Sequence, residues 1–257
     1  MTDWQKVFDE GRICVIVPTY NNERTIVDVL RRVQAYTRNI IVVNDGSTPE
    51  TLAAIKTLPE LPEIVDYTPN RGKGYALMQG FRRALELGYR YAITIDSDGQ
   101  HFPEDIPAVI DCHLANTDAL VVGSRNLTAD NMPSRNTFAN KFSNFWFHLQ
   151  TGIRLEDTQS GFRLYPLEWI NFRWPITPRY EAELELLVFS AWRGVPVVSV
   201  PVRVYYPPEG ERVSHFRPFW DFFRITVLNS ALTIISLFTS IPARLWRRAT
   251  GRLCTKK

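Results

Sequence analysis

Between residues 13 and 123, short apolar runs alternate with stretches whose apolar positions fall three and four apart. "ICVIV" (13–17) and "IIVV" (40–43) are continuous β-rich runs, while Ile26, Val29, Leu30 and Val33 recur at helical spacing between them. That is a βαβ unit. The pattern returns with "EIVDY" (63–67), a helix carrying Ala76, Leu77, Phe81, Ala84 and Leu85, then "YAITI" (91–95) and "ALVVG" (119–123). Fully apolar strands between amphipathic helices predict an α/β chain with a mostly parallel sheet flanked by helices on both faces. Further on, "FANKFSNFWFHL" (138–149) reads as a helix, as does "RYEAELELLVFSAWRG" (179–194) with Leu184, Leu187, Val188 and Ala191 on its core side. No repeat or low-complexity segment appears.

In such sheets ligands bind at the carboxyl ends of the strands, and the polar clusters sit there. "PTYNNE" (18–23) follows the first strand, "NDGST" (44–48) the second, "NRGKG" (70–74) the third and "DSDGQH" (96–101) the fourth. In an extended segment, residues two apart project to one side, so Asp96 and Asp98 can present their carboxylates together. Two like charges that close are costly without a positive partner. A hard divalent cation, Mg2+ or Mn2+, is suited to the place, since it prefers oxygen and commonly takes one or two carboxylates plus substrate phosphates. Gln100 can add a carbonyl oxygen, and His101 is a weaker candidate; the bland alternative is a solvated turn. Asp45 can accept from base N–H groups, or merely cap the next helix. Arg71 and Lys73, flanking Gly72, suit a diphosphate. Neither G-x-G-x-x-G nor G-x-x-x-x-G-K-[ST] is present, which argues against a dinucleotide dehydrogenase or a P-loop enzyme.

Composition adds limits. The 257 residues, 45% hydrophobic, hold enough apolar material for one large domain plus an appendage. A net charge of +3 gives no case for nucleic acid. Cys14, Cys112 and Cys254 are odd in number and scattered, which fits reduced thiols rather than a disulfide frame or a zinc site. The N-terminal "MTDWQKVFDEGR" carries acids and no apolar core of a signal peptide, so the chain is expected to start in the cytoplasm.

Six segments in order, "VIVPTYNNERTI", "VVNDGST", "NRGKGYAL", "IDSDGQHFPED", "VVGSR" and "DTQSGFRLYP", resemble the family 2 inverting glycosyltransferases, most closely their dolichyl- or polyprenyl-phosphate sugar synthase branch. The resemblance covers about residues 12–206. It implies the Rossmann-like GT-A fold, a UDP- or GDP-sugar donor and hexosyl transfer. It also implies that Pro18, Tyr20, Glu23 and Asp45 line the nucleotide pocket with Ser97 beside them, that Asp96, Asp98 and Gln100 surround the metal, and that Arg125 and Arg135 face the acceptor or its phosphate. Asn44 departs from the second Asp that many members carry there.

The acceptor decides whether a base is needed. A sugar or lipid hydroxyl must lose a proton during attack, whereas a phosphate monoester, with a second pKa near ~6, is already ionised. Asp157 in "DTQSGFRLY" is the leading base or acceptor-orienting candidate. Glu181, Glu183 and Glu185 cannot all share one helical face; if the segment begins extended, Glu183 ranks second as base. Arg125, Arg135 and Arg163 supply the alternative, a cluster for a phosphate acceptor, and residues 124–150 read as an acceptor loop leading into a helix.

After Tyr206 the character changes, dividing a catalytic domain (1–206) from a C-terminal extension (207–257). "PPEGERVSHFRPFWDFF" (207–223) contributes His215 and Arg217 as further acceptor contacts. "ITVLNSALTIISLFTSI" (225–241) is uncharged, its seventeen residues short of the ~20 of a spanning helix. Its Ser, Thr and Asn residues form a stripe at helical spacing, which suits a helix lying in the membrane interface or packing on a partner helix, even a second copy of the chain; a tilted transmembrane helix and a buried helix of the soluble domain are the alternatives. The tail "PARLWRRATGRLCTKK" is basic throughout, and anionic lipid attracts such segments at about 1 kcal/mol per basic residue. The expectation is a metal-dependent transferase at the cytoplasmic membrane face, peripheral or weakly inserted, acting on a lipid or lipid-phosphate acceptor. Transfer to a glycolipid or soluble hydroxyl, a silent nucleotide-sugar-binding recruitment protein, and a nucleotidyltransferase are the competing readings.

Overall fold

The computed structural model describes residues 2–125, 134–170, 172, 177–205 and 218–242, with side chains for all of these except 134–138 and 218–222. The predicted alternation is realised as β1 (Ile13–Thr19), α2 (Ile26–Gln34), β2 (Ile40–Asp45), α3 (Pro49–Ile55), β3 (Glu63–Tyr67), α4 (Lys73–Glu86), β4 (Tyr91–Thr94), α5 (Ile106–Ala115) and β5 (Leu120–Arg125), after a short α1 (Trp4–Gly11). The chain continues with α6 (Ser134–Thr151), β6 (Arg163–Pro166), α7 (Glu181–Trp192), β7 (Val197–Val202) and α8 (Pro218–Phe238). The seven strands form one sheet in the order β3-β2-β1-β4-β6-β5-β7. β6 alone runs antiparallel, between β4 and β5; the other pairs are parallel, with Val17 opposite Val42 and Ile16 opposite Thr94.

Strand periodicity sorts the core into two layers. Ile13, Val15 and Val17 of β1 point to the face covered by α1, α2, α3 and α5, meeting Phe8, Leu30, Ile55 and Ile110. Cys14 and Ile16 point to the face covered by α4, α6, α7 and α8, meeting Leu77, Phe81, Phe147 and Leu187. Both faces being covered, every residue of β1 and β2 is buried, which is why those runs are unbroken in the sequence. Leu85 is a departure: at 40% exposure it lies one residue, some 100°, round the helix from buried Ala84.

Two helices differ from their pattern in a more useful way. α7 does not begin extended; it is helical from Glu181 and is buried from Glu181 through Val188, all three glutamates included. It packs against α4, α6 and α8, so it has no solvent face to which those acids can turn. α8 packs on α6 and α7, and Leu232 joins the same core as α4. Its polar stripe points inward: Asn229 and Ser236 are buried, and Gln150 of α6 donates from Nε2 to the Asn229 carbonyl (3.1 Å) and to Thr233 Oγ1 (3.0 Å). Part of the stripe that suggests a second copy of the chain thus packs within this one, while Ser230 stays exposed. His215, Arg217 and the basic tail lie outside the described residues, as does the side chain of Arg135 on the first turn of α6.

Candidate active site

β1, β2, β4 and β5 bring their carboxyl ends to one rim. β4 ends two residues before Asp96, and Asp96-Ser97-Asp98 forms a turn rather than an extension of the strand. That turn is pinned from the loop before α2: Asn22 Nδ2 donates to Ser97 Oγ (2.7 Å) and Thr25 Oγ1 to the Ser97 carbonyl (2.6 Å). Asp98 accepts from the Gln100 backbone N–H at 2.9 Å. Burial first, then the charge of Asp96, pushes the Asp98 carboxyl up to about 6. A carboxyl raised by burial and by its neighbour's charge in a half-buried turn is the chemistry a divalent cation relieves. Among the described residues no set of three His, Cys, Asp or Glu side chains converges to hold an ion unaided. The donor set therefore fits a cation that completes its shell with phosphate oxygens, as Mg2+ and Mn2+ commonly do. His101 is buried, its ring edge-on to Phe162 at 5.6 Å, with Nδ1 lacking a partner. Burial holds its pKa down to about 4, so the imidazole is neutral at pH 7.

Lys73, at the start of α4, lies between two acids. Its Nζ is 2.7 Å from Asp96 Oδ1 and 3.0 Å from Glu183 Oε2, on the first turn of α7. Burial would lower the ammonium pKa, but the two carboxylates outweigh it and hold it above the ordinary lysine value. Burial would likewise raise Asp96, and Lys73 brings it below the usual carboxylate range. The cluster closes over Gly161: a Cβ there would sit 2.7 Å from Asp96 Oδ2, 2.9 Å from Lys73 Nζ and 3.1 Å from Glu183 Oε1. A side chain at 161 would displace one or more of these charged ends.

Asp45 holds a loop. It accepts from Asn70 Nδ2 (2.9 Å), Arg71 N (2.7 Å) and Gly72 N (2.8 Å), joining the end of β2 to the start of α4. Gly46, at φ +67°, makes the approach feasible, since a Cβ there would lie 2.4 Å from Asn70 N. Arg71 is exposed, its guanidinium 4.8 Å above the Tyr75 ring. Pro18 is buried at the end of β1, Tyr20 half-buried beside it and Glu23 exposed just beyond.

Asp157 is 1% exposed and accepts five N–H groups: Arg125 N, Nε and Nη2 (3.2, 2.5 and 2.9 Å), Asn140 Nδ2 (2.6 Å) and Gln159 N (3.0 Å). A carboxylate offers about four lone-pair positions, so none is left for an acceptor proton. Burial would raise its pKa, but Arg125 outweighs burial and the group stays below its ordinary value. Arg163 is a correction to the acceptor cluster. It is fully buried and donates to the carbonyls of Ser160 (2.7 Å), Glu183 (2.6 Å) and Thr158 (2.8 Å), bracing β6 and the first turn of α7 rather than facing an acceptor. Asn22, Thr25, Asn140 and Gly161 are site residues that sequence reasoning misses; all but Asn140 lie inside the quoted motifs, with nothing in their spacing to show which partners they meet.

A mostly parallel sheet with this metal-suited turn, this basic β3–α4 loop and a buried arginine–aspartate pair on one rim defines a glycosyltransferase of the GT-A kind. Residues 14–170 match Glycosyl transferase family 2, and the chain belongs to that family. It is 31% identical over 215 residues to the UDP-N-acetylglucosamine–dolichyl-phosphate N-acetylglucosaminyltransferase of Methanococcus voltae, covering 76% of this chain and 86% of that one. To the polyprenol monophosphomannose synthase of Mycolicibacterium smegmatis it is 30% identical over 203 residues, covering 74% and 76%. Among solved structures it shares its fold with glucosyl-3-phosphoglycerate synthase from Mycobacterium tuberculosis, bound to Mn2+, UDP-glucose and phosphoglyceric acid, at TM-score 0.65 and 21% identity over 92% of this chain and 84% of that one.

Proposed function

We propose that this glycosyltransferase moves a hexosyl group from a UDP- or GDP-sugar to a polyprenyl phosphate at a membrane surface, using Mg2+ or Mn2+ and no general base. The carrying observation is the saturation of Asp157 by Arg125, Asn140 and Gln159. A hydroxyl acceptor needs a carboxylate with a free lone pair. Asp157 has none, and Glu183, whose Oε1 is unpaired, is buried on α7 with its Oε2 on the Lys73 ammonium, which keeps it a weak base. A phosphate acceptor arrives deprotonated and needs an oriented cation instead. Arg125, fixed by Asp157 at the end of β5, is that cation, with Arg135 on the neighbouring turn of α6 as its proposed companion. The names of the relatives, one a dolichyl-phosphate N-acetylglucosaminyltransferase and the other a polyprenol monophosphomannose synthase, support the same acceptor class.

In this reading an acceptor phosphate oxygen attacks the anomeric carbon in line, the bond from that carbon to the diphosphate breaks, and the nucleoside diphosphate leaves with the electron pair. Asp96 and Asp98, with Gln100, would hold the metal, which when bound supplies Lewis-acid neutralisation of the leaving diphosphate. Arg71 adds positive charge from the β3–α4 loop, Lys73 at the start of α4 balances Asp96 and Glu183, and Pro18, Tyr20, Glu23 and Asp45 form the wall on which the nucleoside rests.

The surface reading rests on α6 and α8. With the polar stripe of α8 turned inward, Phe223, Val227, Ile234, Leu237 and Phe238 face outward beside Phe145 of α6. No helix among the described residues is long and apolar enough to cross a membrane, and the proposed association is peripheral or weakly inserted. The deciding measurement is nucleoside diphosphate release from a panel of UDP- and GDP-sugars with Mn2+ or Mg2+, comparing polyprenyl phosphate with the free polyprenol. Release is expected with the phosphate alone, and Asp98→Ala should lower it at least about 100-fold. Release with the free alcohol would return the reading to a base-dependent hydroxyl transfer.

A further inference from the structure

Lys73 stands where an arriving divalent cation must compete with it. Its ammonium contacts Asp96, one of the two carboxylates proposed for the metal, at 2.7 Å, yet it is also held by Glu183, which lies outside that pair, at 3.0 Å. Glu183 is almost wholly buried and its second oxygen, Oε1, has no partner. A buried carboxylate oxygen left unpaired is costly unless a donor reaches it in some state of the protein. Lys73 carries the donors nearest to it: Nζ and Oε1 flank the same small space over Gly161, 2.9 and 3.1 Å from the point a Cβ would occupy.

We propose that Lys73 is an internal counter-cation of the metal site and that Glu183 is the residue which takes it up. Without metal, Lys73 neutralises Asp96 and keeps the Asp-Ser-Asp turn together. When Asp96 turns to a divalent cation, Lys73 gives up that contact and is retained by both oxygens of Glu183, satisfying Oε1. Glu183 is then a positioning residue that acts through Lys73, and neither a base nor a metal ligand. Its backbone is fixed for the task, because Arg163 Nη1 donates to the Glu183 carbonyl at 2.6 Å. With Lys73 retained, the divalent cation brings the three carboxylates to neutrality, and before it arrives the ammonium offsets part of their charge, as a buried group of charges requires. This rests on the Asp96–Asp98 metal site proposed for the transfer reaction.

The test is the affinity of the full-length chain for Mn2+ at saturating UDP or GDP, which supplies the phosphate oxygens the site lacks, followed by the electron paramagnetic resonance signal of Mn2+ against the same nucleotide without protein. Lys73→Met removes the competitor and should tighten Mn2+ binding about ten-fold, a usual effect of one neighbouring charge. Glu183→Gln leaves Lys73 with Asp96 alone and should weaken binding by about the same factor. The double variant decides the matter: added to Lys73→Met, Glu183→Gln should change the affinity by less than about two-fold, because its effect runs through Lys73. Lys73→Gln, close in length and able to donate to Asp96, replaces the Met variant if circular dichroism shows that one unfolded. Equal weakening by Glu183→Gln with and without Lys73 would show a through-space charge effect and overturn the proposal. Mn2+ binding by the wild type with no change in the Lys73 variants would overturn it while leaving the metal site standing. No Mn2+ binding by the wild type would overturn both.

Discussion

Burial and the charge of Asp96 push the Asp98 carboxyl up to about 6, against about 3.9 for an unfolded aspartate. Between those values the folded chain holds the proton more tightly than the unfolded chain, so this group adds stability as pH falls from 7 towards 5 and withdraws it as pH rises. In EDTA at pH 7.5, Asp98→Asn is therefore expected to raise the melting temperature by about 2–4 °C, on the order of 1 kcal/mol for a chain of this size, while abolishing the further rise that Mn2+ gives the wild type. A lower metal-free Tm would show that the charge is stabilising instead. Wild-type Mn2+ affinity should also fall about ten-fold per unit below pH 6, because the ion and the proton compete for one oxygen. Asp157 calls for a different test, since its five donors make it an arginine holder. Asp157→Asn should raise KM for the phosphate acceptor about ten-fold with an unchanged pH profile; loss of an acid limb from kcat would instead mark it as the base. The two aspartates differ in how far the sequence reveals them. Asp96 and Asp98 are legible because they directly follow an apolar strand. Asp157 meets Arg125 across 32 residues and Asn140 across 17, and local spacing carries no trace of either contact.

At the scale of the elements, β1 to β5 and α2 are legible because burial on both faces of a sheet writes itself as unbroken apolar runs, and burial of one helix face as a three-and-four spacing. α7 and α8 are legible as helices, but the placing of their polar residues is not, for opposite reasons. α7 is enclosed by α4, α6 and α8, so its glutamates are buried with its leucines and the pattern of a surface helix misleads. α8 turns its polar stripe to the protein and its apolar side outward, reversing the usual assignment of faces, and only the partner on α6 reveals it. That partner is Gln150, fully buried, whose side chain serves Asn229 and Thr233 and whose carbonyl accepts from Trp192 Nε1 (3.0 Å) and Ser240 Oγ (2.7 Å). Gln150→Leu keeps the volume and strands the polar groups of α8 against an apolar side chain. An unsatisfied buried group costs about 1–3 kcal/mol, enough to loosen one helix without unfolding the sheet. Hydrogen–deuterium exchange should then rise across residues 223–242 and stay unchanged in β1 and β2. Unchanged exchange in α8 would mean that Leu232 and its apolar neighbours, rather than the amide, hold it in place.

For the whole molecule, the question is what the outward side of α6 and α8 meets. Phe238 is 81% exposed and Ile234 58% on α8, and Phe145 is 60% exposed on α6, the helix packed against it, so large apolar side chains stand uncovered on both. A patch of that kind marks a membrane or partner surface more often than idle exposure. The charge of the C-terminal tail argues for lipid: from Arg244 to Lys257 the sequence holds basic residues and no acid, and anionic headgroups attract such a segment while the apolar side of α8 enters the acyl boundary. The two contributions separate by experiment. Binding to vesicles containing phosphatidylglycerol should weaken with salt through the basic tail. It should fall about ten-fold in Phe238→Asp or Ile234→Asp at fixed salt, about the worth of one large apolar side chain lost from the interface. Those variants should retain nucleoside diphosphate release with a short, water-soluble polyprenyl phosphate, because neither residue lies on the sheet rim that gathers Asp96, Asp98 and Arg125. They should lose it with the long-chain acceptor presented in vesicles. Vesicle binding that survives both substitutions would assign the exposed side of α8 to a protein partner and leave membrane attachment to the basic tail alone.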